Sequence, residues 1–186
     1  MIINAHAIED GNKIAVLVND DVITNYDIEQ RVMIFGILNQ VQITNENITN
    51  ITNKMVDELI DNLLKLEKVE EHNINVDSND LKNYENQILN SSKVDKNQFL
   101  ELMKINNVNK KQFYDILYND IAWQILISRL YYRVTSISDE EIDDLMQKDS
   151  KLTYEVAKNI IMDKQLSLKG GKMLRDLRSE ATIEFK

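Results

Sequence analysis

The sequence predicts a mainly α fold with a small β-hairpin near the N-terminus, joined by a strand from the C-terminus. Three observations carry this expectation. Proline is absent and glycine occurs four times in 186 residues, so little interrupts a helix and little supplies the turns of a β fold. Apolar residues recur at steps of three and four through the middle of the chain. Short apolar, β-prone runs stand near its two ends, at Ile14–Val18 and Ala181–Phe185.

The hairpin comes first. Ile14–Val18 is the β-branched run, Asn19-Asp20-Asp21 is turn chemistry, and Val22–Ile23 is a second short strand. Thr24 follows as a helix N-cap, with Asp27 at the third helical position. The helix it opens runs to about Val41 and presents Ile28, Val32, Phe35 and Leu38 on one face. The polar stretch Gln42–Asn53 is expected as a loop or frayed turn. Lys54–His72 is a longer helix with Val56, Leu59, Ile60, Leu63 and Leu64 on one face. Asn73–Val76 breaks the chain, and Asp77 caps a helix carrying Leu81, Tyr84 and Ile88.

Two neighbouring segments, Val94–Phe99 and Val108–Phe113, share one order: apolar residue, Asx cap, two polar residues, Gln, Phe. Each reads as a capping-box start with an apolar staple before it. A duplicated binding motif and two helix starts obeying the same physics are both compatible with the pattern. From Lys111 to Val134 the chain is apolar on nearly every side, so this helix is buried on several faces or presents an apolar surface. Tyr118, Trp123, Tyr131 and Tyr132 suit either a core boundary or a peptide groove. Ser138 opens a further capping box with Glu141. The tail reads as a helix over Thr153–Gln165, a short break, a second helix over Ser167–Arg178, and a β-like end over Ala181–Phe185. Gly170 and Gly171 each cost about 1 kcal/mol in a helix, a cost that close packing against another helix offsets.

Composition bounds the function. A hydrophobic share of 43% and a charged share of 28% are those of a soluble globular protein, long enough for a real core. The net charge of −9 argues against a non-specific nucleic-acid binder, which needs a basic face. No run reaches the roughly 18 apolar residues of a membrane span. With no cysteine, disulfides, thiolate chemistry and cysteine-ligated zinc are excluded. The two histidines, His6 and His72, have no second ligand at helical spacing, and no glycine-rich nucleotide loop is present. Carboxylate pairs such as Glu140–Glu141 and Asp143–Asp144 read as solvated helix faces. No cofactor or metal is expected. Asn4–Ala7 contains an A-x-A pattern, read either as the tail of a signal peptide or as chance.

Several of these motifs occur together in a known family. The hairpin-into-helix start Val16–Asp27 resembles the "VVNDDVIT-x-x-(E/D)" pattern of SurA-type periplasmic chaperones. Glu58–Asp61 with Asn73–Asp77 resembles the family's "LIDxxLxxxxAxxxGI" helix and its exit. Ile137–Ile142 resembles the "V/I-S-x-x-E-V/I" element that closes the N-terminal domain, and Leu177–Ile183 the C-terminal "LRxxAxI" element. The resemblance implies a helical chaperone core whose C-terminal segment returns onto the N-terminal domain. It divides the chain into a flexible start with a candidate signal remnant (1–13), a helical domain (14–148) and C-terminal helices and strand (149–186).

The family's parvulin domains, about a hundred residues each, have no counterpart between Gln147 and Lys151, so prolyl isomerase activity is not expected. The resemblance further implies an ATP-independent chaperone module of the periplasm, holding unfolded outer-membrane or secreted polypeptides in an apolar crevice. Candidate groove residues are Met33, Phe35, Leu38, Trp123 and Tyr131, with Met33, Met55 and Met103 as sources of adaptable contact. A homo-oligomer is left open. The alternative is a structural or oligomerisation module with one fixed protein partner.

The tail also differs from the body in sign. Residues 151–186 hold eight Lys/Arg and five Asp/Glu, a charge of +3 against −12 for the rest. Opposite signs favour docking of the tail on the body, with Val156, Ile160, Ile161, Leu174 and Leu177 packing on the N-terminal helices and Ile183 and Phe185 beside Ile14–Val18.

Overall fold

A computed structural model describes residues 13–186; His6 and the A-x-A pattern lie outside them. Strand β1 (Ile14–Val18) turns at Asn19-Asp20 into β2 (Asp21–Thr24). Alternation buries Val16 and Val18, each 1% exposed, on one face of β1. Asn19 takes φ 51°, a left-handed conformation that Asn tolerates. Thr24 caps α1 (Asn25–Asn39) in a reciprocal capping box: its hydroxyl accepts from Asp27 N at 3.2 Å, and the Asp27 carboxylate accepts from Thr24 N at 2.9 Å.

The remaining elements are α2 (Ile48–Glu71), α3 (Ser78–Ser91), α4 (Lys96–Ile105), α5 (Lys110–Tyr131), a 3₁₀ turn (Tyr132–Val134), α6 (Asp139–Lys148), α7 (Tyr154–Glu180) and β3 (Ile183–Phe185). The fold is mainly α, with one antiparallel sheet of order β2-β1-β3. The C-terminal strand joins the hairpin: Val16 pairs with Phe185, Leu17 with Glu184 and Val18 with Ile183. Asn19 reinforces the junction. Its N–H donates to Thr182 O at 2.9 Å, its Oδ1 accepts from Thr182 N at 3.0 Å, and its Nδ2 donates to Glu67 on α2 at 3.0 Å.

Four helices end the same way. After α1, α2, α3 and α4, a residue with positive φ (Gln40, Asn73, Lys93, Asn107) is followed by Val41, Ile74, Val94 or Val108. The N–H of each second residue reaches back to the carbonyl of Gly36, Val69, Leu89 or Met103, at 2.9, 3.2, 3.1 and 2.8 Å. These are Schellman ends without glycine. Two of them explain the repeated segments. Val94 and Val108 end one helix and precede the Asx cap of the next, and both are buried with Phe99 and Phe113 in one cluster. The two phenylalanine rings meet with centroids 4.7 Å apart. The repeat is thus a structural motif folded onto itself. Its caps are half-boxes: Asp95 accepts from Asn97 N and Gln98 N, and Asn109 from Lys111 N. Gln112 does not return to its cap but donates to Asp27 at 2.9 Å.

Several expectations are corrected. The supposed loop Gln42–Asn53 is half helix: α2 begins at Ile48 because Ile51 and Met55 are buried against Val32. Asn47 organises the turn before it, accepting from Thr44 N at 2.8 Å and donating to Gln42 O at 2.9 Å. Helix α1 is not one-sided; Gln30, Arg31, Ile34, Gly36 and Ile37 are buried as well as Val32. The tail is a single helix without a break. Gly170 is buried, and a Cβ there would sit 3.2 Å from Ile127 Cγ1 and 3.3 Å from Trp123 Nε1, so this glycine lets α7 approach α5. Leu174 and Leu177 do pack on Ile60 and Leu64 of α2. Ile161 packs instead with Ile142 of α6, and Val156 and Ile160 remain exposed. Met55 and Met103 are core, at 0% and 1% exposure. Arg178 fastens the helix to α2 through Asp57 at 2.5 Å and Asp61 at 2.6 Å.

Two outcomes follow. Deleting residues 181–186 removes β3, leaves a bare two-stranded hairpin and uncovers Val16 and Val18; stability falls by about 2 kcal/mol, read as a lower melting temperature and increased binding of an apolar dye. Lys93→Gly removes the left-handed penalty of an exposed lysine and raises stability by about 0.5–1 kcal/mol, measured by urea unfolding.

Candidate functional site

Helix α5 is the wall from which the site is built. Its Phe113, Leu117, Ile121, Ala122, Leu126 and Ile127 are buried. Beside them on the helix, Trp123, Gln124 and Ser128 line a cleft bounded by α3 on one side and α7 on the other, to which Lys65 of α2 also contributes. The cleft measures about 1130 Å³, the size of a large ligand site. Trp123, Ile125, Ile127, Leu166 and Leu174 supply its apolar surface, and Gly170 its closest helix approach. Tyr84 and Gln87 of α3 face them with Gln124 and Ser128 of α5. The ionic groups along it are mixed: Lys65 and Arg129 against Asp80 and Asp163. Such a surface offers apolar area, side-chain amides and hydroxyls, without a single dominant charge.

A partly buried polar network borders the cleft. The Tyr84 hydroxyl donates to Asp120 Oδ2 at 3.5 Å. Burial pushes the Asp120 carboxyl above its ordinary range, against the opposing pull of Lys65 and Arg31. Burial also raises Tyr84, helped by the Asp120 charge, and lowers Arg31 despite Glu58 and Asp120 nearby. Elsewhere in the bundle Glu85, 4% exposed, accepts from Lys96 Nζ at 2.8 Å and from the Tyr114 hydroxyl at 3.1 Å. Buried Gln30 bridges α1 to the α4–α5 turn, donating to Asn107 O at 3.3 Å and accepting from Asn109 N at 2.6 Å.

The five groove residues expected from the sequence fall in different places. Trp123 lines the cleft. Tyr131 lies farther along α5, its ring 5.6 Å beneath the Lys169 ammonium. Met33 lines a second hollow of about 300 Å³ with Gly36, Ile43, Val94 and Leu102. Leu38 packs half-buried on the Phe99–Phe113 cluster. Phe35 packs with Val32, Ile51 and Met55, under the Lys54 ammonium at 4.8 Å. Tyr84, Gln124, Leu166 and Gly170 were not singled out as site residues from the sequence. Gly170 carried the one local signal, a glycine where a helix disfavours it. His72 sits at the end of α2, its Nδ1 3.0 Å from Lys68 O. Among the described residues no group of three or more His, Cys, Asp or Glu is placed to hold a metal ion. No described helix is long and apolar enough to cross a membrane.

No family model matches this sequence, and no curated protein matches it. Among solved structures, the chain is similar to one from the description of the virulence factor PEB4 and the periplasmic protein Cj1289, two structurally related SurA-like chaperones of Campylobacter jejuni. This chain and that structure are 17% identical, the match covers 94% of this chain and 99% of that chain, and the TM-score is 0.46.

The half-buried Asp120 carboxyl gives a pH-dependent outcome. Because the folded state holds the Asp120 proton more tightly than the unfolded chain, this group's contribution is fully present below about pH 4 and is lost as pH rises through its elevated folded value. Asp120→Asn, neutral at every pH, is therefore more stable than the parent at pH 7. The difference shrinks as pH falls toward 4, as read by urea midpoints across that interval.

Proposed function

We propose that the chain is an ATP-independent chaperone module that holds unfolded polypeptide segments in the cleft between α3, α5 and α7. The observation that carries this reading is the cleft's combination of size and lining. About 1130 Å³ accommodates several residues of extended chain. Trp123, Ile125, Leu166 and Leu174 receive apolar side chains, while Gln87, Gln124 and Ser128 are placed along the same surface to meet a client's backbone amides. Mixed rim charges favour no single sequence, and aliphatic contacts with few fixed polar anchors give weak, adaptable binding. The sequence resemblance adds outer-membrane or secreted polypeptides as clients and a periplasmic setting, and it assigns no prolyl isomerase activity to the module. Of the five residues named from the sequence, Trp123 is the one proposed to touch the client here.

The sole tryptophan reports directly on occupancy. Titration with unfolded outer-membrane-protein peptides rich in aromatic residues is expected to shift Trp123 emission with a Kd in the micromolar range, of order 8 kcal/mol, and the protein is expected to suppress aggregation of diluted unfolded substrate. Ser167→Tyr, at an exposed position on the α7 side of the cleft, fills the space and weakens binding about tenfold. Turnover of a proline-containing tetrapeptide is expected at the uncatalysed rate. A silent Trp123 together with no suppression of aggregation overturns the reading; stoichiometric association with one partner alone favours the fixed-partner alternative.

A further inference from the structure

The α7 face that lines the cleft does not stop at its edge. Asp163, Ser167, Gly170 and Leu174 line the cleft and recur at steps of three and four. The same steps continued toward the N-terminus reach Ile160 and then Val156. At about 100° per residue, all six lie within about 40° of one line along the helix. Val156 and Ile160 are 46% and 45% exposed. This end of α7 builds its own small core from Ala157 and Ile161, which pack on Ile142 of α6. The neighbouring stripe is thus aliphatic, uncovered and in line with the cleft.

Its surroundings are acidic. Between Ile137 and Leu168 the chain carries eight carboxylates against four lysines. Asp139, Glu140, Glu141, Asp143 and Asp144 on α6 are exposed, and Asp163, also exposed, sits within the stripe itself between Ile160 and Ser167. We propose that this stripe extends the polypeptide track out of the cleft, and that its occupant is an extended client segment bearing aliphatic side chains and net positive charge. The inference rests on the cleft reading above. A second copy of this chain, itself at −9, brings the same acidic arm and is repelled, as is an anionic membrane surface. From Asp163 to Leu174 the helix rises about 16 Å, and from Val156 to Leu174 about 27 Å. At about 3.3 Å per residue of extended chain, these lengths match about five and eight residues.

The test compares a five-residue aliphatic peptide with a nine-residue peptide that adds two lysines and two leucines on the side reaching Val156, each titrated against Trp123 emission. The longer peptide is expected to bind about tenfold tighter, and the advantage to shrink as salt is raised. Val156→Ser with Ile160→Ser, both at exposed positions, is expected to abolish the advantage and leave the five-residue affinity unchanged. Replacing the two lysines of the peptide by glutamates is expected to abolish it too. Equal affinities for the two lengths, an advantage that survives the double substitution, or one that survives the charge reversal each overturn the proposal while the cleft reading stands. If neither peptide perturbs Trp123, the cleft reading fails and the extension falls with it.

Discussion

The burial of α5 on several faces is the constraint on which the rest depends. A helix with Phe113, Leu117, Ala122 and Leu126 essentially inaccessible needs partners around most of its circumference. It has them: α1 and α4 around Phe113 and Leu117, α2 around Ala122 and Leu126, and α7 against Trp123 and Ile127 at Gly170. Each fully buried large side chain contributes about 2–3 kcal/mol relative to exposure. Removing one, as in Phe113→Ala, leaves a void costing about 3–5 kcal/mol. The cleft exists because this enclosure is incomplete. Helices α3 and α7 both touch α5, and between their contacts a strip of α5 around Trp123 and Gln124 is left for something else.

Local chemistry made much of the fold legible in advance. Thr24, Asp77, Asp95, Asn109 and Ser138 all cap the helices that follow them, because a side-chain oxygen beside free backbone amides acts over two or three residues. The return of the last strand onto the first hairpin followed from the same short-range logic: two elements too small to persist alone complete one another. What stayed hidden was non-local. The start of α2 at Ile48 depends on burial of Ile51 and Met55 against α1, which overrides an asparagine-rich stretch of poor helix propensity. The continuity of α7 depends on a neighbour that makes Gly170 an advantage. The cleft draws its wall from three helices distant in sequence, so of the five groove residues Trp123 alone lies in it, joined by Tyr132 from the aromatics that suited either a core boundary or a groove. Phe35 and Leu38 share a helical face with Ile28 and Val32, and periodicity alone does not say what that face meets.

The polar interior is arranged differently from the apolar one. Gln30 and Glu85 are buried with specific partners, so they fix register: Gln30 ties α1 to the turn before α5, and Glu85 ties α3 to both Lys96 and Tyr114. Arg31 has Glu58 and Asp120 as nearby charges, and half-buried Asp120 has Lys65 and Arg31 nearby and the Tyr84 hydroxyl as a hydrogen-bond donor. Burial of such groups is costly even when paired. One of them, Asp120, sits against Tyr84, which lines the cleft. Helices α3 and α5, which wall the cleft, therefore carry an ionisable pair at its border.

The pairing of Val16 with Phe185 also sets an order of events in time. The β1–β2 hairpin and the neighbouring helices α6 and α7 join segments close in sequence and form quickly, but this ladder spans residues 16 to 185, and non-local contacts of that kind slow folding. During synthesis the N-terminal hairpin emerges first and its third strand last. Until Ile183–Phe185 are free, Val16 and Val18 lack their third-strand neighbour. Completion of this sheet thus waits until all the described helices have been made, and a nascent chain that does not yet include Ile183–Phe185 remains in an earlier, more open stage.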